Sequence, residues 1–459
     1  MLVRRCYDER LAQASYLIGC QATGEAIVID PARNITPYLD AARQDGLHIT
    51  RVTETHIHAD FLSGTRELAA ATGAEILLSI EGGEDWQYRY PATPLRDADL
   101  IEVGAIRLSV VHTPGHTPEH LAFLITDTAR SADPVALVSG DFIFVGDVGR
   151  PDLLEEAAGI ASSKEPSARQ LFQSLQRLAP LPDYLQIWPG HGAGSACGKA
   201  LGAMPTSTLG YERRTNWAFQ IENEPGFVTA VLEGQPPAPA YFARMKRLNR
   251  DGAAILGKRR APVKLDPAEI SRALRDGVVL DIRTRLAYAK AHLGGTINIP
   301  LIKAFTTWAG WLLPDDRDLF LIADDAAAAA NAQLALASIG LDRVAGSFGI
   351  NVIAAAESAG TARQSHRAPI ADAPRMQSEG ALVIDVRDGH EWEAGHLEGA
   401  AHHPLGTLPA TLAGIDRTRA VAVHCEGGTR SAIAASVLEQ MGFRNVTDLF
   451  DGWAAVNRR

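Results

Sequence analysis

The chain has 459 residues, 46% of them apolar and 21% charged, with a formal net charge of −10. That length exceeds one hydrophobic core and predicts two to four domains. The acidic balance argues against a nucleic-acid partner and gives no basis for attraction to an anionic membrane surface. No apolar run approaches the roughly 20 residues of a bilayer span, and the stretch from Met1 to Arg10 lacks the apolar core of a signal peptide. Cys6, Cys20, Cys197 and Cys425 are scattered without a CxxC pair, which fits a reducing cytoplasm.

In chain order, Ala14 to Ile18 and Ala26 to Ile29 read as two strands joined by a Gly-containing turn, the second ended by Asp30-Pro31. Ile35 to Gln44 has helical spacing, with Thr36 as N-cap and Pro37 at the first position. The β-branched run Ile49 to Thr53 predicts a strand that delivers His56, His58 and Asp60 at its tip. A helix follows over Gly64 to Thr72, then a strand over Ala74 to Leu78. Leu100 to His112 alternates like paired strands around Gly104 and leads into His116. Leu121 to Thr126 and Ala136 to Ser139 are further strands, the second followed by Asp141, and Trp188-Pro189-Gly190 leads to His191. Thr215 to Asn249 is helical with a Pro-rich break at 235–239, and Asp251 to Val263 reads as a linker.

A lone His after a strand is usually a surface or capping residue. Here a His or Asp follows an apolar run at a Gly-rich turn in segment after segment, and two His one residue apart with an acid two further on is a metal-ligand constellation. Metal binding is therefore the expectation for the first half.

The second half repeats itself. Leu280-Asp281-Ile282-Arg283 matches Ile384-Asp385-Val386-Arg387, His292-Leu293-Gly294-Gly295 matches His396-Leu397-Glu398-Gly399, and Pro300 matches Pro404, all at an offset of 104 residues. Each copy predicts open α/β architecture with a functional loop at a strand's carboxyl end. In the second copy that loop runs through Cys425, Glu426, Gly427, Gly428, Thr429 and Arg430 into a helix over Ala432 to Met441. A Cys there faces backbone N–H groups and the positive end of the helix, which favours thiolate or persulfide. Gly427 and Gly428 let the loop curl around the sulfur, and Arg430 adds a cation. In the first copy, aligning Gly340 with Gly442 puts Ala323 at the Cys425 position. Asp324 and Asp325 would repel an anion there.

The first half, from about residue 1 to 245, resembles the metallo-β-lactamase fold, a four-layer αββα sandwich. Two-metal members usually carry His directly after the motif Asp, where this chain has Phe61. The pattern that survives is similar to the persulfide dioxygenase branch. That resemblance implies His56, His116 and Asp141 as ligands of a single Fe(2+), a two-His-one-carboxylate face open to substrate sulfur and O2. It implies His58, Asp60 and His191 as residues that orient the ligands. Arg150 is a candidate anchor for a substrate carboxylate, against an ordinary ion pair with Asp147 or Asp152. Cys197, in the small-residue loop after His191, is a candidate sulfur relay, against an inert buried thiol.

Residues 370–459 resemble the rhodanese sulfurtransferases, with Cys425 and Arg430 catalytic and Glu426 to Thr429 binding substrate. A phosphatase loop of the related kind is commonly one residue longer. The domain expectation is 1–250 as the sandwich, 262–362 as a degenerate rhodanese-like domain and 370–459 as the active one, within an α/β and α+β multidomain chain. The resemblance implies a cytoplasmic persulfide dioxygenase fused to a sulfurtransferase of sulfide detoxification. Its partners would be a small thiol persulfide, O2 and a sulfite or thiol acceptor, with homo-oligomerisation left open. A zinc-dependent thioester hydrolase of the glyoxalase II kind is the alternative, and a persulfide sensor or sulfur carrier is a third reading.

Overall fold

The computed structural model describes residues 1–156, 163–258 and 260–456. Arg259 of the expected linker and residues 457–459 lie outside the described residues. Two compact units emerge: Met1–Arg259 with Ala337–Gly340, and Arg260–Leu336 with Leu341–Arg459. No helix among the described residues is long and apolar enough to cross a membrane.

The first unit is a four-layer αββα sandwich. One sheet runs in chain order through β1 (Leu2–Asp8), β2 (Gln13–Cys20), β3 (Glu25–Ile29), β4 (His48–Thr53), β5 (Glu75–Ser79) and β6 (Thr93–Leu95). The other comprises β7 (Leu100–Val103), β8 (Ile106–His112), β9 (Leu121–Asp127), β10 (Ala136–Gly140), β11 (Gln186–Pro189) and β12 (Ser207–Thr208), again neighbour to neighbour. Period-2 alternation sorts each strand between two cores. Ala14, Tyr16, Ile18, Ile27 and Ile29 meet Leu108, Val110, Phe123, Ile125 and Val138 between the sheets. Leu17, Ala26, Val28 and Val52 face outward onto Tyr38, Ala42 and Leu68 of the helices Thr36–Gln44 and Thr65–Thr72. The second sheet is covered by Lys164–Gln176 and Glu224–Leu232.

Some local expectations differ from the structure. Strands β1, β6 and β12 and the helix Lys164–Gln176 stand where no element was read. Thr36 lies inside its helix, whose N-cap position is Ile35, and it makes no side-chain cap. Asn34 Oδ1 takes the Thr36 N–H instead, at 3.3 Å. A short amide two residues upstream competes well for an orphan donor.

The strand registers bring the functional edge together. β3 and β4 are parallel, with Ile29 opposite Thr53, so Asp30 and the segment Glu54–His56 leave the sheet side by side. β10 and β11 are parallel, with Gly140 opposite Pro189, so Asp141 and His191 do the same. The β8–β9 hairpin pairs His112 with Leu121 and holds the loop of His116 and His120 at this edge. Leu121 N donates to Thr55 O at 2.7 Å, tying the two sheets.

The second unit contains two parallel sheets of one topology. The first has the order β14 (Ile297–Asn298), β13 (Val278–Asp281), β15 (Leu319–Ile322), β16 (Val344–Phe348). The second has β19 (Ala401–His402), β18 (Leu382–Asp385), β20 (Val421–His424), β21 (Val446–Leu449), then β17 (His366–Ala368). A parallel bridge from Lys264 to Ser347 takes the place of β17 in the first. Side-chain detail repeats as well. The Arg283 fork closes on Asp281 and donates to Ala291 O, as Arg387 does with Asp385 and Gly395 O. Tyr288 stacks on His292 with centroids 4.0 Å apart, as Trp392 does on His396 at 3.6 Å.

Candidate metal centre and cysteine loop

Asp30, at the end of β3, is the support on which the first site is built. Its Oδ1 accepts from Thr55 N at 2.6 Å and its Oδ2 from Thr55 Oγ1 at 2.9 Å. Because that hydroxyl proton points to Asp30, Thr55 Oγ1 accepts from His56 Nδ1 at 2.9 Å. His116 Nδ1 donates to the Arg150 carbonyl at 3.0 Å. Both rings therefore carry their proton on Nδ1 and turn a bare Nε2 inward, the tautomer a ligand His needs. The two Nε2 atoms lie 3.9 and 3.6 Å from Asp141 Oδ2. Burial, then the neighbouring histidines, keep His56 uncharged, well below its usual range.

The other oxygen of Asp141 is held. His191 Nδ1 meets Asp141 Oδ1 at 2.7 Å and its Nε2 meets Asp60 Oδ2 at 2.8 Å. Burial disfavours a charged His191, but the two carboxylates outweigh it and hold it protonated, well above the usual range. Burial would raise the Asp141 carboxyl, but His191 holds it well below the usual carboxylate range. His58 is turned away, its Nε2 on Asp30 Oδ1 at 3.1 Å and its ring 4.4 Å from Phe61. Against burial, Asp30 and Glu54 lift His58 to about 9.

His56, His116 and Asp141 thus offer donors within 4.8 Å of one another. His56 Nε2 and Asp141 Oδ2 are buried without a hydrogen-bond partner. Bare, buried, converging N, N and O donors fit a metal ion, because an orphaned polar atom costs about 1–3 kcal/mol if nothing meets it. A second group, Asp60, His191 and Cys197, converges equally closely. There, burial, then the Asp60 and Asp141 carboxylates, push the Cys197 thiol well above its ordinary range.

Arg150 does not have the open fork that an anchor for a substrate carboxylate requires. It is buried, bonding Asp152 through Nε at 2.8 Å and Nη2 at 2.6 Å, while Nη1 reaches Ala196 O at 3.2 Å. Its own N–H donates to Cys197 O at 3.1 Å. Arg150 therefore links the His116 ring to the loop of Cys197. Asp30, Thr55 and His120 escaped the sequence reading. His120 accepts from Asp141 N at 3.2 Å, and its four-residue spacing from His116 was the available signal.

In the second unit, buried Cys425 follows β20 and precedes the helix Thr429–Gln440. Its Sγ accepts from Gly428 N at 3.1 Å. Gly428 has φ +82°, and a Cβ there would overlap the Phe450 carbonyl, so only glycine closes this loop. Glu426 pairs with Arg387 at 3.3 Å, Gly427 is exposed, and Thr429 opens the helix. Arg430 is engaged bidentately by Glu391, at 2.5 and 2.6 Å. In the first repeat, Ala323 follows β15, and Asp325 Oδ1 takes the Ala328 N–H at 2.8 Å, filling that helix start with a carboxylate.

These two sites define a metal-binding αββα protein joined to a cysteine-loop α/β unit. Residues 8–191 match the metallo-beta-lactamase superfamily, and residues 370–459 match the rhodanese-like domain. A solved metallo-beta-lactamase from Staphylococcus aureus is 44% identical, spans 76% of this chain and 99% of its own, and superposes with a TM-score of 0.69. The hydroxyacylglutathione hydrolase of Rhodospirillum rubrum is 34% identical over 178 residues, 38% of this chain and 60% of that protein. That of Methylococcus capsulatus is 31% identical over 243 residues, 52% of this chain and 75% of that protein. The chain belongs to the metallo-beta-lactamase superfamily and carries a rhodanese-like domain after its metal-binding domain.

Proposed function

We propose that the first unit is a mononuclear iron persulfide dioxygenase and that the second carries sulfane sulfur on Cys425. The observation that carries the first half is the three-donor face of His56, His116 and Asp141. His56 and His116 present Nε2 and Asp141 presents Oδ2. His58 is drawn to Asp30, and Phe61 offers no ligand where two-metal relatives have His. Ferrous iron held by these three would keep positions open for substrate sulfur and for O2. The chain's own part is to fix the two imidazole tautomers through Thr55 and the Arg150 carbonyl and to hold the other Asp141 oxygen on His191. The net reaction takes a thiol persulfide, O2 and water to thiol and sulfite.

For the second half, the support is Cys425 Sγ seated on Gly428 N at a helix start. Residues 262–362 are a second rhodanese-like copy in this account, lacking the Cys. Sulfur leaving Cys425 for sulfite gives thiosulfate, and transfer the other way makes persulfide for the iron. The protein acts in sulfide detoxification in this reading.

A zinc-dependent thioester hydrolase is the second reading. The relatives named hydroxyacylglutathione hydrolase favour it, as does the Asp60–His191–Cys197 group, which could hold a second ion. Oxygen uptake by anaerobically purified protein given glutathione persulfide separates the two. Uptake with sulfite formation is expected. Hydrolysis of S-lactoylglutathione without oxygen uptake would overturn the proposal.

A further inference from the structure

Arg285 opens the helix Arg285–Lys290 in the first repeat, the copy without a cysteine. Its side chain reaches into the Cys425 loop of the second. Arg285 Nη1 donates to Gly427 O at 3.2 Å. A Cβ placed on Gly428 would overlap the same nitrogen. Gly428 is the residue whose N–H meets Cys425 Sγ, so the guanidinium rests on the peptide that faces the sulfur. The first repeat is held there by two further contacts on the helix Thr429–Gln440. His292 Nε2 meets Glu439 Oε2 at 3.0 Å, and Asn298 N donates to Ser436 Oγ at 2.9 Å.

Two cations of the second repeat beside the loop are already occupied. Arg430 is closed on Glu391, and Arg387 on Asp385 and Glu426. Among the described residues, Arg285 makes no ion pair. It is half-buried, with one hydrogen bond on a carbonyl, and its charge also acts on the buried Asp448 carboxylate. Guanidinium geometry matches oxyanions.

We propose that Arg285 is the oxyanion-binding residue of the Cys425 loop, and that its ligand is a small sulfur oxyanion, thiosulfate or sulfite. This rests on Cys425 being the sulfur carrier. In the step it serves, the Cys425 thiolate attacks the outer sulfur of thiosulfate. The S–S bond of thiosulfate breaks, sulfite leaves with the bonding pair, and Cys425 keeps the sulfur as persulfide. The reverse step makes thiosulfate. Both oxyanions carry two negative charges, and the first repeat supplies the cation that meets them.

The test uses the full chain and its Arg285→Ala and Arg285→Lys variants, with melting curves as the folding control. Arg285→Ala should raise KM for thiosulfate about tenfold, with kcat changed much less, and Arg285→Lys should recover most of the loss. Independently, mass mapping of Cys425 alkylation should show the iodoacetate-to-iodoacetamide rate ratio falling several-fold in Arg285→Ala. If Cys425 takes up sulfur from thiosulfate and neither KM nor that ratio moves, the assignment of Arg285 is overturned and the carrier stands. If Cys425 takes up no sulfur in the parent, the carrier reading fails, and the alkylation ratio alone decides whether Arg285 serves anions.

Discussion

Thr55 decides which nitrogen of His56 is free. Its proton goes to Asp30, so its lone pair takes the His56 Nδ1–H and leaves Nε2 bare. Thr55→Val keeps the volume and removes both bonds. Metal affinity should fall by about 10- to 100-fold, read by chelator competition, with Thr55→Ser close to the parent. Glu391 gives the second residue-scale expectation. Burial would raise its carboxyl, but Arg430 holds it well below the usual range. A depressed folded value stabilises above the unfolded value of about 4.5 and is lost as pH falls toward the folded one. Denaturation should therefore show Glu391→Gln less stable than the parent at pH 6, with the gap narrowing by pH 3.5. The His56–His58–Asp60 motif was legible because its residues leave one strand end together. Asp30 was not, since Asp-Pro after an apolar strand reads as a terminator and its partner Thr55 is 25 residues on. Arg285 was not legible either, because its contact lies 142 residues away.

Among the elements, the loop 192–197 is tied to the metal site by Arg150. One fork holds Asp152 and the Ala196 carbonyl together, and the same residue's backbone holds Cys197 O and the His116 ring. Lysine keeps the charge but is a point donor and cannot span both partners. Arg150→Lys should make Cys197 react faster with a thiol reagent, followed as a time course on the native protein, and should loosen metal retention. No change in either would reduce Arg150 to an ordinary buried pair. Alternation made the strands of the sandwich readable, and the fold follows it closely. The helix Thr429–Gln440 was readable from its Gly-rich entry rather than from amphipathicity, because Ile433, Ala434, Ala435, Val437 and Leu438 are all buried. A helix covered on more than one side has no polar stripe to signal it.

At the scale of the molecule, the duplication at a fixed offset announced two like topologies before any strand was placed. What it did not announce was that the copy without a cysteine lends a side chain to the copy that has one. The two chemistries proposed here lie in separate units and should separate by mutation. Cys425→Ser should abolish sulfur transfer from thiosulfate to cyanide and leave oxygen uptake with glutathione persulfide unchanged. Loss of both would mean that the two sites depend on each other. The central claim is a single ferrous ion on His56, His116 and Asp141, and the direct measurement is the metal content of the anaerobically purified chain. One iron per chain, lost in Asp141→Ala together with oxygen uptake, is the predicted result. Two zinc ions per chain would contradict it.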